Sequence, residues 1–184
     1  MNTAYSSKKI INIVLSAFMV ALISIMAQIS IPIGPVPITL QILAIFIACI
    51  ILPPPYAFMS LLSYLLLGIF GLPVFAGATG GFAKILGPTG GYLLSFPIAA
   101  YVISLLNKKL PIKNDYARMI VAMLVGLIFI YIIGFLYLAL RTKMSLYKAF
   151  MAGVVPFIAI DILKAIFAAF IVSLLKTRKV LNNA

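Results

Sequence analysis

The sequence predicts an all-α membrane protein with six transmembrane helices, and three observations lead to that class. The chain has 184 residues, of which 65% are hydrophobic and only 9% are charged, whereas an ordinary soluble domain has about 25% charged residues. Apolar runs of roughly 15 to 25 residues recur along the chain, the length needed to cross a hydrocarbon core of about 30 Å. The basic residues form short clusters at the ends of these runs, as topology signals do. We therefore expect one integral membrane domain over residues 1–184.

The predicted spans are separated by proline-rich, glycine-rich and basic segments. Prolines within residues 32–37 and at 53–55 end the first two spans, because a run of prolines cannot sustain a helix. The second span is barely long enough to cross a bilayer, so we expect it to be the least regular helix. Pro156 predicts a kink in the sixth span. The six spans are expected at residues 10–31, 39–52, 56–72, 91–106, 116–140 and 150–176.

The distribution of basic residues predicts the orientation of the chain. Six spans place both termini on the same side of the membrane. Nine basic residues then share that side: Lys8, Lys9, Lys108, Lys109, Lys113, Arg118, Lys176, Arg178 and Lys179. The opposite side carries four: Lys84, Arg141, Lys143 and Lys148. The excess favours cytoplasmic amino and carboxyl termini in a multi-pass protein of the cell membrane, although the basic loop at 141–148 argues for the reverse.

Composition argues against several function classes. The formal net charge is +12, but no basic domain exists that could form a footprint on nucleic acid. The chain has no histidine and no glutamate, so we expect no metal site, no cofactor and no catalytic nucleophile–base pair, and the protein is predicted not to be an enzyme. The lone Cys49 cannot form an intrachain disulfide.

Residues 77–92 contain two similar glycine-rich blocks between the third and fourth spans. Gly77-Ala-Thr-Gly-Gly-Phe82 is followed ten positions later by Gly87-Pro-Thr-Gly-Gly-Tyr92. Lys84 does not follow a glycine directly, so the segment does not match a phosphate-binding P-loop. Apolar residues are interleaved with the glycines, and irregular backbone at a membrane face is tolerated where it is buried or lines a cavity. The segment therefore predicts a re-entrant or capping loop that brings backbone amides close to a ligand, with a flexible connector as the alternative.

The predicted sixth span contains an acid–base pair. Asp161 and Lys164 are three residues apart and share one face of a helix. A charge near the middle of a span costs at least about 2.5 to 3.5 kcal/mol, and such residues usually mark a functional site. We interpret the pair as part of a polar cavity that binds a ligand; a self-neutralising pair that serves packing is the alternative.

Two small residues in the first span predict a close helix contact. Ala17 and Ala21 form a small-xxx-small stripe of the kind that lets helices approach each other. The stripe fits either a partner-binding face or ordinary internal packing.

The motifs together resemble the BioY family, the biotin-binding S components of energy-coupling-factor (ECF) transporters. The resemblance extends from about Ala17 to Leu175. It is carried by residues 34–41 (Gly-Pro-Val-Pro-Ile-Thr-Leu-Gln), 64–75 (Tyr-Leu-Leu-Leu-Gly-Ile-Phe-Gly-Leu-Pro-Val-Phe), 87–92 and the Asp161-x-x-Lys164 pair.

The resemblance implies an S-component fold, biotin uptake across the cytoplasmic membrane and a partner module of a transmembrane coupling subunit and two cytoplasmic ATPases. ATP hydrolysis would take place on those partners, and Ala17 and Ala21 would dock the coupling subunit. An S component for another vitamin, or a transporter that works without a partner, is the alternative.

A biotin site needs a mostly apolar pocket with a few convergent polar groups. The expected ligand-binding residues are Asp161, Lys164, Tyr92, Gly80, Gly81, Thr89, Gly90, Gly91 and Lys84. Lys84 departs from the family pattern, and it is expected either to contact the ligand carboxylate or to lie in solvent. The sequence leaves open which polar group meets which end of biotin.

Overall fold

A computed structural model describes residues 2–178, and Lys179, one of the basic residues used to predict the orientation, lies outside them. Most of the described residues are helical. The elements in chain order are α1 (Asn2–Gln28), β1 (Ser30–Ile31), β2 (Ile38–Thr39), α2 (Gln41–Ile51), α3 (Pro54–Ile69), α4 (Phe82–Ile85), α5 (Gly90–Lys109), α6 (Asp115–Thr142), α7 (Leu146–Gly153) and α8 (Val155–Thr177).

Four helical regions within residues 2–178 are long and apolar enough to cross a membrane. They are Ser7–Gln28, Gly90–Lys109, Asp115–Thr142 and the combined stretch Leu146–Thr177. The apolar helices α2 and α3 are shorter, with 11 and 16 residues. The predicted six spans therefore do not correspond one to one with six long helices.

Helix α2 is short and lies inside the bundle. At 1.5 Å per residue its 11 residues extend about 17 Å, and all of them from Leu43 to Ile50 are buried. A helix surrounded by protein need not match the thickness of the hydrocarbon core. It ends at Ile51, where Leu52 is extended, as expected for a residue that precedes proline. Pro54 and Pro55 then begin α3, where a missing N–H costs little.

The last predicted span is interrupted, whereas α2 is one short helix that ends before the prolines at 53–55. A single kinked helix over 150–176 was expected; instead α7 ends at Gly153 and α8 begins at Val155. Val154, between them, has φ −127° and ψ −57°, outside the helical region. Pro156 lies in the first turn of α8, where proline starts a helix more readily than it kinks one.

The two ends of the bundle differ in character. At one end, the start of α6 meets the end of α8, where Asp115 pairs with Arg118 at 2.7 Å and with Lys176 at 3.8 Å. At the other end lie the antiparallel pair β1–β2, the glycine-rich segment and α7. Tyr137 and Arg141 near the end of α6 donate to the carbonyls of Ile85 and Leu86. This second end contains the candidate site.

Candidate functional site

A cavity of about 70 Å³ lies at the glycine-rich end of the bundle. On a scale where one water occupies about 10–15 Å³, this volume corresponds to roughly five waters. Its walls come from residues 36–42, the α3–α5 connection and helices α5, α6 and α8. Most of the lining is apolar, and its polar side chains are those of Thr39, Gln41, Lys84, Thr89, Tyr92, Tyr131, Asp161 and Lys164.

The acid–base pair of α8 faces this cavity. Asp161 and Lys164 are 3% and 7% exposed. Lys164 Nζ donates to Asp161 Oδ1 at 2.7 Å, and Tyr131 Oη donates to Asp161 Oδ2 at 2.8 Å. Each carboxylate oxygen thus has one donor, which stabilises a charge that burial would otherwise make costly. The Lys164 ammonium has three N–H donors, and only one is used on Asp161.

Tyr92 also lines the cavity, but its hydroxyl already has a partner. Tyr92 Oη donates to the carbonyl of Gly153 at 2.8 Å. That carbonyl ends α7, and the break before α8 leaves it free of an ordinary helical partner. The Tyr92 ring lies against Gly134 so closely that a β-carbon there would overlap the ring. Tyr92 therefore links α5, α6 and α7. Because its hydroxyl is already hydrogen-bonded, a ligand in the cavity would contact its ring.

Lys84 and Thr89 lie where the cavity meets a second, more open recess. Both residues line the two spaces, as do Pro37 and Ala76. Lys84 belongs to the single-turn helix α4 and is half-buried. A cation at this position can meet an anionic group at the outer edge of the cavity.

The four glycines expected at the ligand are not among the residues that line the cavity. A β-carbon on Gly80 would overlap the carbonyl of Leu72, one on Gly90 the carbonyl of Ile85, and one on Gly91 the side chain of Tyr137. Gly81 has a φ of +90°, in the region that favours glycine. These glycines allow close packing and a tight backbone, while their contact with a ligand remains a prediction.

Tyr131, Gln41 and Thr39 line the cavity but were not among the predicted ligand-binding residues, although Thr39 and Gln41 belong to the 34–41 motif. Gln41 is buried, and its Nε2 donates to the hydroxyl of Tyr64 at 3.0 Å. A glutamine at the start of an otherwise apolar helix was a usable signal. Tyr131 is one of several tyrosines in the spans, and nothing local in the sequence connects it with Asp161, thirty residues later.

Ala17 and Ala21 do not line the cavity, and they lie on a side of α1 that is exposed within residues 2–178. Val14, Phe18 and Ile25 nearby are exposed as well, at 61%, 59% and 65%. The stripe does not serve packing inside the described part of the chain, so it is free to meet lipid or another protein.

Comparison with known proteins identifies the family. The model of the BioY family matches residues 1–181. The chain belongs to the BioY family. A "Probable biotin transporter BioY" of Pyrococcus horikoshii is 46% identical over 157 residues, 85% of this chain and 91% of that protein. The "Biotin transporter BioY" of Thermotoga maritima is 41% identical over 160 residues, 87% of this chain and 92% of that protein.

A solved structure shares the fold of this BioY family member. The crystal structure of the S-component for biotin from an ECF-type ABC transporter superposes with a TM-score of 0.87. The two chains are 34% identical, and the match covers 96% of this chain and 95% of the other. The arrangement of helices described above is therefore that of an S component.

Proposed function

We propose that this chain is the biotin-binding subunit of an ATP-driven ECF transporter and that the cavity at the glycine-rich end is its ligand site. The observation that carries the proposal is the buried Asp161–Lys164 pair with Tyr131, set in a cavity that is otherwise mostly apolar. A buried, hydrogen-bonded charge pair in such a cavity suits a ligand with an apolar body and both donor and acceptor groups.

The two ends of biotin differ in a way that suits the two ends of the cavity. The ureido ring offers two N–H donors and one carbonyl acceptor, which match the Asp161 carboxylate and the unused donors of Lys164. A valerate carboxylate placed there would be repelled by Asp161. We therefore assign the ureido ring to the Asp161 end and the carboxylate to the Lys84 end.

The remaining members of the site have supporting roles in this proposal. Tyr92 and the apolar residues Phe96 and Phe157 contact the thioether ring and the chain of the ligand. Thr89 supplies a hydroxyl near the carboxylate. Gly80, Gly81, Gly90 and Gly91 shape the loop around the site.

The membrane arrangement follows from the same proposal. The six crossings are α1, α2, α3, α5, α6 and the combined α7–α8 stretch, with the glycine-rich segment as the cap between the third and fourth. The termini and the Asp115 end face the cytoplasm, and the cavity lies near the outer face. The exposed Ala17–Ala21 stripe docks a transmembrane coupling subunit, which connects this chain to two cytoplasmic ATPases, where ATP is hydrolysed.

The test is biotin titration into purified, detergent-solubilised variants. Asp161→Asn should weaken binding by about 1 to 3 kcal/mol, the scale for a buried hydrogen bond to a charged group, which is roughly a five- to 150-fold rise in Kd. Asp115→Asn is a matched control, because Asp115 also pairs with a basic residue three positions later but lies at the opposite end of the bundle. A normal Kd in well-folded Asp161→Asn protein would remove that residue from the site.

A second measurement separates ECF-driven uptake from transport by the chain alone. Labelled biotin uptake in cells should require co-expression of the coupling subunit and the ATPases. Ala21→Leu should reduce uptake while leaving biotin binding unchanged, because the bulky side chain obstructs the docking stripe. Equal uptake without the partner module would favour a transporter that works alone.

A further inference from the structure

The last residue of α1 contacts the connection between α3 and α5 at two points. The N–H of Ala78 donates to Gln28 Oε1 at 2.7 Å. Gln28 Nε2 donates to the carbonyl of Ser24 at 2.8 Å and reaches the carbonyl of Pro73 at 3.4 Å. One exposed side chain therefore contacts both ends of the stretch from Pro73 to Ala78.

That stretch forms part of the cavity wall. Phe75 and Thr79 pair as an antiparallel bridge, with N–H to carbonyl distances of 2.9 and 3.3 Å. The turn directs Phe75 and Ala76 to the cavity. Phe75 is fully buried, and its ring meets the edge of Tyr64 with the centroids 5.6 Å apart. Any movement of this hairpin changes the shape of the cavity.

The hairpin contains a residue in an unfavourable backbone conformation. Ala78 has a φ of +53°, in the left-handed region that a residue with a β-carbon seldom adopts. Such a conformation persists only where surrounding contacts impose it. The bond to Gln28 is the contact that holds the Ala78 amide, and it lies at the surface, where water can compete for it.

We propose that Gln28 is a positioning residue that latches the Pro73–Thr79 hairpin over the ligand cavity and thereby sets the rate at which ligand enters and leaves. Gln28 does not line the cavity, so it acts through the hairpin. The proposal rests on the proposed function, since the hairpin limits exchange only if the cavity is the biotin site.

The position of Gln28 on α1 connects the latch to the exposed stripe. Gln28 follows Ala21 by seven residues and Ala17 by eleven, so each alanine lies within about 20° of Gln28 around the helix, given 3.6 residues per turn. A displacement of α1 along this face moves the group that holds the hairpin.

The experiment measures biotin exchange in purified protein by rapid filtration of tritiated biotin. Gln28→Leu removes both polar contacts at similar size and should raise the association and dissociation rate constants together, by about threefold to tenfold, the value of one ordinary hydrogen bond. The Kd should change by less than about twofold, because the latch restrains the empty and the loaded cavity alike.

Two further variants complete the test. Gln28→Glu keeps an oxygen that accepts from the Ala78 N–H, so it should exchange biotin at nearly the wild-type rate. Ile25→Ala is the control, since it truncates an exposed residue on the same helix without touching the hairpin. If the leucine variant does not fold, Gln28→Ala provides the same comparison.

The possible results distinguish the proposed latch from the proposed biotin-binding function on which it rests. Wild-type protein that fails to bind biotin contradicts the proposed function. Wild-type protein that binds biotin while Gln28→Leu exchanges it at the unchanged rate overturns the latch alone, even if thermal stability falls. A raised Kd with an unchanged association rate also overturns it, because Gln28 would then act on the loaded state only.

Discussion

The two glycine-rich blocks, residues 77–82 and 87–92, have nearly the same sequence and fold differently. The first is an irregular loop in which Gly77, Ala78 and Gly81 all have positive φ angles. The second is a turn that leads into a helix, since Gly90 and Gly91 begin α5. The fourth position behaves alike in both: Gly80 and Gly90 each lie against a backbone carbonyl.

The fifth position shows the difference most clearly. Gly81 has open space where a β-carbon would be, so its backbone angle is what requires glycine. Gly91 is helical, and it lies against Tyr137 and the carbonyl of Ile133, so close packing is what requires glycine. Glycine at the fifth position is thus required for its backbone angle in the first block and for its small size in the second.

The largest effect is expected from Gly91→Ala. The new β-carbon would overlap Tyr137 at the α5–α6 contact, and overpacking of a buried site costs typically 1–3 kcal/mol. We expect the upper end, about 3 kcal/mol, because the opposing atoms belong to the backbone and to a β-carbon that cannot rotate away. Thermal unfolding in detergent should show a fall in Tm of roughly 6 to 12 °C. An unchanged Tm would mean that α5 and α6 can separate there.

Ala78→Pro is expected to have the next largest effect, on binding more than on the fold. Proline cannot adopt a φ of +53°, and it lacks the N–H that Ala78 donates to Gln28. The hairpin should therefore move from its position over the cavity. This change should weaken biotin binding by about 2 kcal/mol, or roughly a thirtyfold rise in Kd. Titration checks the affinity, and a size-exclusion profile checks that the helices remain folded. Wild-type affinity would separate the hairpin from the site.

Gly81→Ala should have a smaller effect. No atom obstructs the new β-carbon, so the cost is that of placing an L-residue at a φ of +90°, about 1 to 2 kcal/mol. A Tm fall of about 2 to 8 °C is expected in the same thermal scan. A loss as large as that of Gly91→Ala would show that the two glycines are required for the same reason.

Pro88→Ala should have the smallest effect. Pro88 is the second residue of its block, as Ala78 is of the first, so this substitution is the reverse of Ala78→Pro. Pro88 is exposed, and replacing it removes only some restriction of the unfolded chain, worth about 0.5 kcal/mol. Tm and biotin Kd should therefore stay close to wild type. A change comparable to that of Ala78→Pro would indicate that the second block also moves with ligand.

The sequence predicted the long helices and the charged pair well because both depend on local pattern. Helix α6 extends over Asp115–Thr142 where 116–140 was expected, and the Asp161–Lys164 pair follows from a spacing of three on one helix. The break at Val154 was not predicted from the sequence, because a proline such as Pro156 is compatible with either a kink or the start of a new helix. Tyr131 was not predicted because its role depends on a contact between helices distant in sequence.

The single thiol of the chain has a practical consequence. Cys49 is fully buried in α2, and the chain has no tryptophan. A maleimide dye or spin label should therefore react with a cysteine introduced at exposed Ala83 and leave Cys49 untouched, without prior mutation of the natural residue. A tryptophan introduced near the hairpin would be the only indole in the protein, and its emission would report on the surroundings of the hairpin alone. The native sequence is thus already a clean background for spectroscopic probes.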